Sequence, residues 1–469
     1  MTSISIAWLR NDLRIADNPA LNAAVRAGDT ALAVYIHETT KGVRPPGAAA
    51  RWWLNQSLKA MTTSLAERGI ALIVGEGDAG ELLPEIVAEH AAEAVFWNRR
   101  YAQGERDADA IIKTRLWADG VQVESFAANV LVEPWDIATG QGKPYSVFTP
   151  FWKTLRAMPI ARPLRAPDAG KPVSAAKVDV GYATPDWSRK LAAHWSIGEL
   201  AARKRLADFL DEDLDNYAAG RDFPHMAATS RLSPHLRFGE ISARQVWHAA
   251  QAVAQTDHTR QAAVDKFLSE LAWRDFSYHQ LYHRADIATV PMQEKYAGMA
   301  WRSSKSDLTA WQQGQTGIPI VDAGMRELWE TGYMHNRVRM LAASLLTKNL
   351  LIDWRVGEQW FWDCLVDADI ANNPASWQWV AGSGLDASPY FRIFNPVTQG
   401  ERFDAAGDYV RRWVPELRQL PDEWLQEPAA APAEELKQAD ITIGKTYPAP
   451  IVDLKASRQR ALQAMARLA

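Results

Sequence analysis

Residues 3–21 read SISIAWLRNDLRIADNPAL. A short β-rich run at 3–9 gives way to a charged turn and then to an amphipathic stretch over 17–27. The alternation repeats along the first 130 residues. Strand-like runs stand at 31–36 (ALAVYI), 70–76 (IALIVGE), 93–98 (EAVFWN) and 121–126 (VQVESF), with Ala-rich helical stretches at 49–68, 80–91 and 104–118 between them. That rhythm predicts βαβ units on a parallel five-stranded sheet, a Rossmann-like α/β domain over 1–130. A dinucleotide site would need a glycine-rich turn after the first strand. WLRNDLRIADNPAL contains no GxGxxG, so the architecture is expected without its usual phosphate loop, and any nucleotide cofactor belongs elsewhere.

Beyond this region the pattern changes. From 131 to 195 Pro and Gly recur, as in EPWDIATGQGKPYSVFTP and MPIARPLRAPDAGKP, and an interdomain connector is expected. From 196 to 469 strand signals nearly vanish. Helical periodicity predicts a large all-α domain with helices over 197–217, 242–256, 260–284, 321–331, 334–351 and 355–366. EPAAAPAEELK reads as a Pro-rich loop and the last residues as a closing helix. A chain of 469 residues is too long for one ordinary core.

Composition narrows the function. No apolar run approaches bilayer length, and MTSISIAWLRND lacks the form of a signal peptide, so a cytoplasmic protein is expected. A single cysteine, Cys364, excludes an intramolecular disulfide or a cysteine-rich metal site. The net charge of −4 argues against bulk electrostatic coating of DNA yet leaves room for a local basic surface. With 21 tryptophans, packing is the default role, and stacking or electron transfer becomes a second explanation for those inside motifs.

Four clusters in the helical region carry the candidate chemistry. In ELAWRDF, Glu270, Trp273 and Arg274 fall at i, i+3 and i+4, a carboxylate, a ring and a guanidinium on one helix face. An ordinary exposed ion pair beside a buried Trp is the plainer alternative. In MHNRVRM, Asn336 and Met340 lie one turn apart with Arg337 and Arg339 flanking; helix surface plus a core Met competes there. In VDADIANNPASWQW, Asp367 and Asp369 precede Asn372, Asn373, Trp377 and Trp379, acceptors and amides suited to a polar heterocycle. A metal loop is the rival, and the spacing departs from an EF-hand. In YAAGRDFPHMAATSRLSPHLRFG, Thr229, Ser230 and Ser233 offer small donors beside Arg231, as in a pyrophosphate cradle, although helix capping suits Ser233 before Pro234.

Taken together, TSRLSPHLRFGEIS, ELAWRDF, TGIPIVDAGMRELWETGYMHNRVRM, LLIDWR, WQWVAGSGLDASPYFRIFNPVTQGERFD and YVRRWVPEL resemble the photolyase/cryptochrome family. The likeness extends through WLRNDLRIADNPAL and the EPWDIATGQGKPYSVFTPFWK connector, nearly the whole chain.

That resemblance implies FAD in the helical domain. Tyr217, Thr229, Ser230, Arg231, Leu232 and Ser233 would hold its phosphates and ribityl chain. Asp367 and Asp369 would lie near the ring and ribose, Arg274 and Arg339 beside the flavin, and Asn373 opposite N5. Plant cryptochromes carry Asp at this last place, so Asn favours repair over signalling. The resemblance further implies that Glu270 and Asn336 hydrogen-bond a flipped-out pyrimidine dimer, that Trp273 and Trp379 flank it, and that Met340 touches its other side; base flipping is a known habit of photolyases. Arg221, Arg274, Arg337 and Arg392 would face damaged DNA. The similar (6-4) enzymes carry His where Asn336 and Met340 stand, which points to a cyclobutane substrate. Trp377, Trp354 and Trp301 match an electron-transfer chain to FAD. The N-terminal domain would hold an antenna, methenyltetrahydrofolate or else a deazaflavin, with Asn98–Arg106 in its region. A monomer is expected. A cryptochrome-type photoreceptor is the competing function.

Overall fold

The computed structural model describes residues 3–168, 170–171, 173, 184–387, 389–390 and 392–468. Contacts group the chain into two compact units. The first comprises Met1–Asp215 with Ser230–Ala285, the second Asn216–Thr229 with Asp286–Ala469. This division differs from the expected order of 1–130, 131–195 and 196–469, because the long helix after residue 260 packs with the N-terminal unit although its composition is that of the helical region.

In the first unit the five expected strands form one parallel sheet. They are β1 (Ile4–Leu9), β2 (Thr30–Glu38), β3 (Ala71–Gly77), β4 (Ala94–Asn98) and β5 (Gln122–Phe126), in the order β3-β2-β1-β4-β5. Every pairing is parallel, with Ile6 opposite Leu32 on one side and Val95 on the other. Helices α1 (Pro19–Ala27), α2 (Ala48–Ala66), α3 (Ala79–Glu89) and α4 (Gln103–Ala118) make the crossovers. Parallel strands are covered on both faces, hence the nearly unbroken burial of β1 and β4. Trp8 and Trp97 meet edge-to-face at 5.5 Å within that core.

The connector is more ordered than its composition suggests. Phe148–Leu155 forms a helix, α5, burying Phe148, Phe151 and Leu155; its expected looseness beyond residue 168 falls partly outside the described residues. The unit closes with α6 (Gln261–His283), as the periodicity over 260–284 predicts.

The second unit is helical, with α7 (Pro319–Thr331), α8 (Asn336–Ser344), α9 (Trp354–Cys364), α10 (Asn372–Ala381), α11 (Pro396–Phe403) and α12 (Leu454–Ala466) among its elements. One apolar cluster gathers Trp311, Met334, Leu341, Trp354, Phe361 and Trp377 from five of its segments. Two expectations change. The helix predicted over 334–351 ends at Ser344 and continues as a π turn, Leu345–Asn349. In EPAAAPAEELK, Ala433–Gln438 is a helix rather than loop, with Pro432 just ahead of its start and Glu434 and Glu435 in its first turn.

Candidate active site

In the first unit, α6 carries Glu270, Trp273 and Arg274 on neighbouring positions of one face. Lys266, one turn back, places Nζ 2.9 Å from Glu270 Oε1, and the Glu270 side chain is about a quarter exposed, at 26%. Trp273 stacks on Phe148 of α5, centroids 3.8 Å apart and planes 11° from parallel, with Phe276 edge-on at 5.7 Å. Phe148 thus backs the ring and fixes its plane. Arg274 donates Nη1 to the Asn129 carbonyl at 2.6 Å and lies over the Tyr278 ring, so packing and hydrogen bonding to its own unit hold its fork. Next to it, burial raises Asp275 to about 6, opposed chiefly by Arg274.

The Ser230–Ser233 segment belongs to the same unit. Arg205 donates to the Ser230 carbonyl at 2.8 Å, and Arg231 adopts a left-handed φ of +50° with its guanidinium 4.4 Å from the Trp195 ring centre. Leu232 is buried. Ser233 is the first residue of the helix Ser233–Arg237 rather than its cap; Leu232 takes the cap position and has no side chain able to cap. The capping role suggested for Ser233 therefore does not hold. Just beyond, Glu240 receives Trp53 Nε1 at 3.0 Å and pairs with His235 Nδ1, tying this segment to α2.

The second unit brings together the other candidates. His335 caps α8, its Nδ1 accepting from Arg337 N–H at 3.2 Å. Burial lowers this imidazole to about 4, against the pull of Asp222 and with Arg339 adding to the shift, so it is neutral at physiological pH and able to accept. Asn336 opens the helix, exposed, and half-buried Met340 follows one turn on. Arg337 reaches Asp222 at 2.8 Å and covers the Phe403 ring. Arg221 lies 5.4 Å from the Tyr217 ring centre, and Thr229 ends the 216–229 segment.

Arg339 turns to the loop before α10. Its Nη2 meets Asp367 Oδ2 at 2.8 Å and its Nε the Met334 carbonyl at 2.7 Å. Burial disfavours its charge, and Asp367 more than compensates, leaving it raised above the ordinary arginine value. Asp369 Oδ1 accepts from the N–H groups of Ala371 and Asn372 and from the Asn372 side chain, ordering the entry to α10. Asn373 donates Nδ2 to the Glu358 carboxylate at 2.8 Å and to its carbonyl at 3.0 Å. Both donors of one amide nitrogen are thereby committed, and Oδ1 is its acceptor end.

Trp377 is buried edge-on to Phe361 at 5.0 Å. Trp354 belongs to the same apolar cluster and Trp301 and Trp379 pack against it. A Cβ on Gly357 of α9 would stand 2.2 Å from the Trp377 ring, so only glycine admits this approach. Arg392 is exposed, and its carbonyl accepts from Lys348 Nζ at 3.0 Å. Lys266, Phe148, Asp222 and Glu358 escaped the sequence reading. Glu358 had a visible signal: a lone acid amid WRVGEQWFW.

Comparison with known proteins finds relatives over the whole chain. Residues 5–168 match the family described as DNA photolyase, and residues 267–467 match the FAD binding domain of DNA photolyase. A deoxyribodipyrimidine photo-lyase of Agrobacterium fabrum is 46% identical over 99% of this chain and 98% of its own. The chain belongs to the photolyase/cryptochrome family. Cryptochrome-1 of Arabidopsis thaliana, another member, is 38% identical over 99% of this chain and 70% of its own length. The crystal structure of a class III photolyase from Agrobacterium tumefaciens superposes with a TM-score of 0.94 at 45% identity, covering 100% of this chain and 98% of that one. The family relationship places an FAD-binding domain in the helical C-terminal region, where Asn373, Asp367 and Arg339 lie.

Proposed function

We propose that this protein is a light-driven DNA repair enzyme that splits cyclobutane pyrimidine dimers. The observation that carries this reading is the start of α8, where exposed Asn336 and half-buried Met340 share a face at the place where similar (6-4) enzymes carry histidines. The resemblance to a photo-lyase at 46% identity supports the same reaction.

The residues present fit FAD. Asn373, with its nitrogen held by Glu358, turns an acceptor toward its other side, as the N5–H of a reduced flavin requires. Arg339, anchored by Asp367, supplies a permanent cation for a ring that carries negative charge. When bound, reduced FAD excited by blue light supplies the electron that opens the cyclobutane ring and recovers it afterwards.

The chain's own groups position the lesion. Trp273, backed by Phe148, offers a stacking wall that replaces the contacts a flipped base pair loses, and Trp379 offers a second ring. Glu270 is the hydrogen-bonding group. A carboxylate engaged by the Lys266 ammonium is an acceptor, so toward the dimer it takes an N–H; Asn336 supplies an amide able to donate to a carbonyl. Tyr217, Thr229, Ser230, Arg231, Leu232 and Ser233 hold the flavin phosphates and ribityl chain in this reading, with Asp369 near the ribose. Arg221, Arg337 and Arg392 meet DNA phosphates. Trp377, Trp354 and Trp301 carry electrons to oxidised FAD through one apolar cluster.

For the antenna we favour methenyltetrahydrofolate, with a deazaflavin second. Half-exposed Trp135 packs with Tyr282 at 5.2 Å and Tyr101 at 6.4 Å, while Arg99 and Arg106 lie over Trp135 and Tyr282. Such a nest suits a planar ring carrying an acidic tail. Asn98 and Arg100 from the same segment are instead consumed in internal contacts with Asp12 and Asp109. Among the described residues no helix is long and apolar enough to cross a membrane. We expect a monomer acting on DNA in the cytoplasm.

The test is repair of an oligonucleotide bearing one thymine cyclobutane dimer by the reduced protein. Restoration of intact thymines in blue light and not in darkness is expected. A flavin-loaded protein that leaves this dimer untouched overturns the reading in favour of a (6-4) substrate or of cryptochrome-type signalling.

A further inference from the structure

Lys266 and Glu270 stand one turn apart on α6, with Nζ 2.9 Å from Oε1. Their side chains are 43% and 26% exposed, so water still reaches both. As a device for stabilising the helix the pair is poorly placed. The lysine precedes the acid, the weaker order along a helix, and an exposed pair of this kind contributes at most about 1 kcal/mol. The ions beside it on α6 have partners of their own. Asp265 receives Gln261 at 2.9 Å and Arg156 at 3.2 Å, while Arg274 is held by the Asn129 carbonyl and the Tyr278 ring. The ammonium of Lys266 is directed at the acid that is proposed above to meet the lesion.

The consequence is chemical. Glu270 has two states of opposite hydrogen-bonding character: ionised it only accepts, protonated it also donates. An ammonium at 2.9 Å favours the ionised state. A carboxylate offers about four lone-pair sites, so accepting from Lys266 does not exhaust it. The two states read the edge of a flipped pyrimidine differently. Thymine and uracil carry an N–H at ring position 3, beside a carbonyl, and suit an acceptor. Cytosine carries a bare nitrogen there, beside an amino group, and suits a carboxylic acid that donates and accepts together. A carboxylate can still take the cytosine amino N–H, but its lone pairs then face those of the bare nitrogen.

The ammonium also matters for charge. An isolated carboxylate would oppose the negative charge that arrives on the dimer, the more so once bound DNA has displaced water from around it. Beside Lys266 the acceptor belongs to a neutral pair. We propose that Lys266 is a positioning residue that keeps Glu270 ionised and thereby selects dimers whose bases present a ring N–H, those of thymine and uracil, over those of cytosine. The inference rests on the reading of Glu270 as a group that hydrogen-bonds the lesion.

The test compares oligonucleotides bearing a thymine–thymine or a cytosine–cytosine cyclobutane dimer. Both are given to the reduced, FAD-loaded full chain at saturating protein, so that the quantum yield of splitting is read apart from binding. The unaltered protein should favour the thymine dimer by about tenfold or more. Lys266→Met should shrink that preference by about tenfold, and Lys266→Arg, which keeps a permanent cation, should retain it. Retained flavin absorbance reports the fold of each variant. A preference unchanged in Lys266→Met overturns the inference while leaving repair standing. So does weaker binding to damaged and undamaged DNA alike with both quantum yields unchanged, the behaviour of a phosphate contact. Failure of the unaltered protein to split either dimer removes the repair reading itself, and this inference with it.

Discussion

Asn373 gives its side-chain nitrogen to both the carboxylate and the carbonyl of Glu358, a residue one helix away and itself buried. Asn373 cannot rotate without breaking two hydrogen bonds, so Glu358 decides which atom it turns to its other side, the side proposed above to meet the flavin. Glu358→Ala removes one partner and exposes the other to disorder. Thermal unfolding of the FAD-loaded protein should show a loss of roughly 1–3 kcal/mol. Reduced FAD should also reoxidise faster in air; unchanged stability and unchanged reoxidation would separate Glu358 from this role.

Glu270 is reached by Lys266 and carries no part of the core. Glu270→Ala should therefore keep FAD and the fold while lowering dimer splitting by on the order of 10²-fold, because a dimer that loses this N–H acceptor is no longer held in its reacting position. The measurement is the quantum yield of repair beside the flavin absorbance. Loss of FAD from this variant would contradict the assignment.

Trp377 belongs to the apolar cluster that also holds Trp354, with Trp301 packed at its margin. Trp377→Phe should abolish photoreduction of oxidised FAD and spare repair once the flavin has been reduced chemically. Gly357→Ala probes the same ring by packing. Its new methyl would overlap the indole, and a destabilisation of roughly 1–3 kcal/mol is expected, measured by urea unfolding.

Lys348 sits in the π turn after α8, and burial, with Arg392 adding to it, lowers its ammonium from 10.5 to about 7. Between these values the unfolded chain holds a proton that the folded chain has released, so this group makes stability rise with pH from about 7 to 10.5. Below pH 7 the buried charge costs stability in full. Lys348→Met should stabilise the protein at pH 6 by roughly 1 kcal/mol or more and lose that advantage toward pH 10. Urea midpoints at the two pH values check the sign; an advantage that grows with pH would refute it.

The recurring strand–helix rhythm of 1–130 was legible because parallel strands covered on both faces must be short, apolar and separated by amphipathic crossovers. All five strands and four helices stand within a few residues of their expected places. The face shared by Glu270, Trp273 and Arg274 and the one-turn spacing of Asn336 and Met340 also follow from helical periodicity alone. Sequence motifs likewise carried the family, since runs of that length and exactness do not recur by chance. Contacts far apart in sequence were not legible. Phe148 against Trp273, Glu358 behind Asn373 and Asp222 on Arg337 join positions separated by 15 to 125 residues, and no local pattern encodes such partners. Tertiary packing also ended the helix of 334–351 early and made a helix of 433–438, because burial and capping outweigh weak local propensity. Sequence determined which chemical groups the protein has and which helix faces bear them. Only the folded chain decided how those groups are oriented, because orientation depends on the hydrogen bonds and rings that distant segments bring against them.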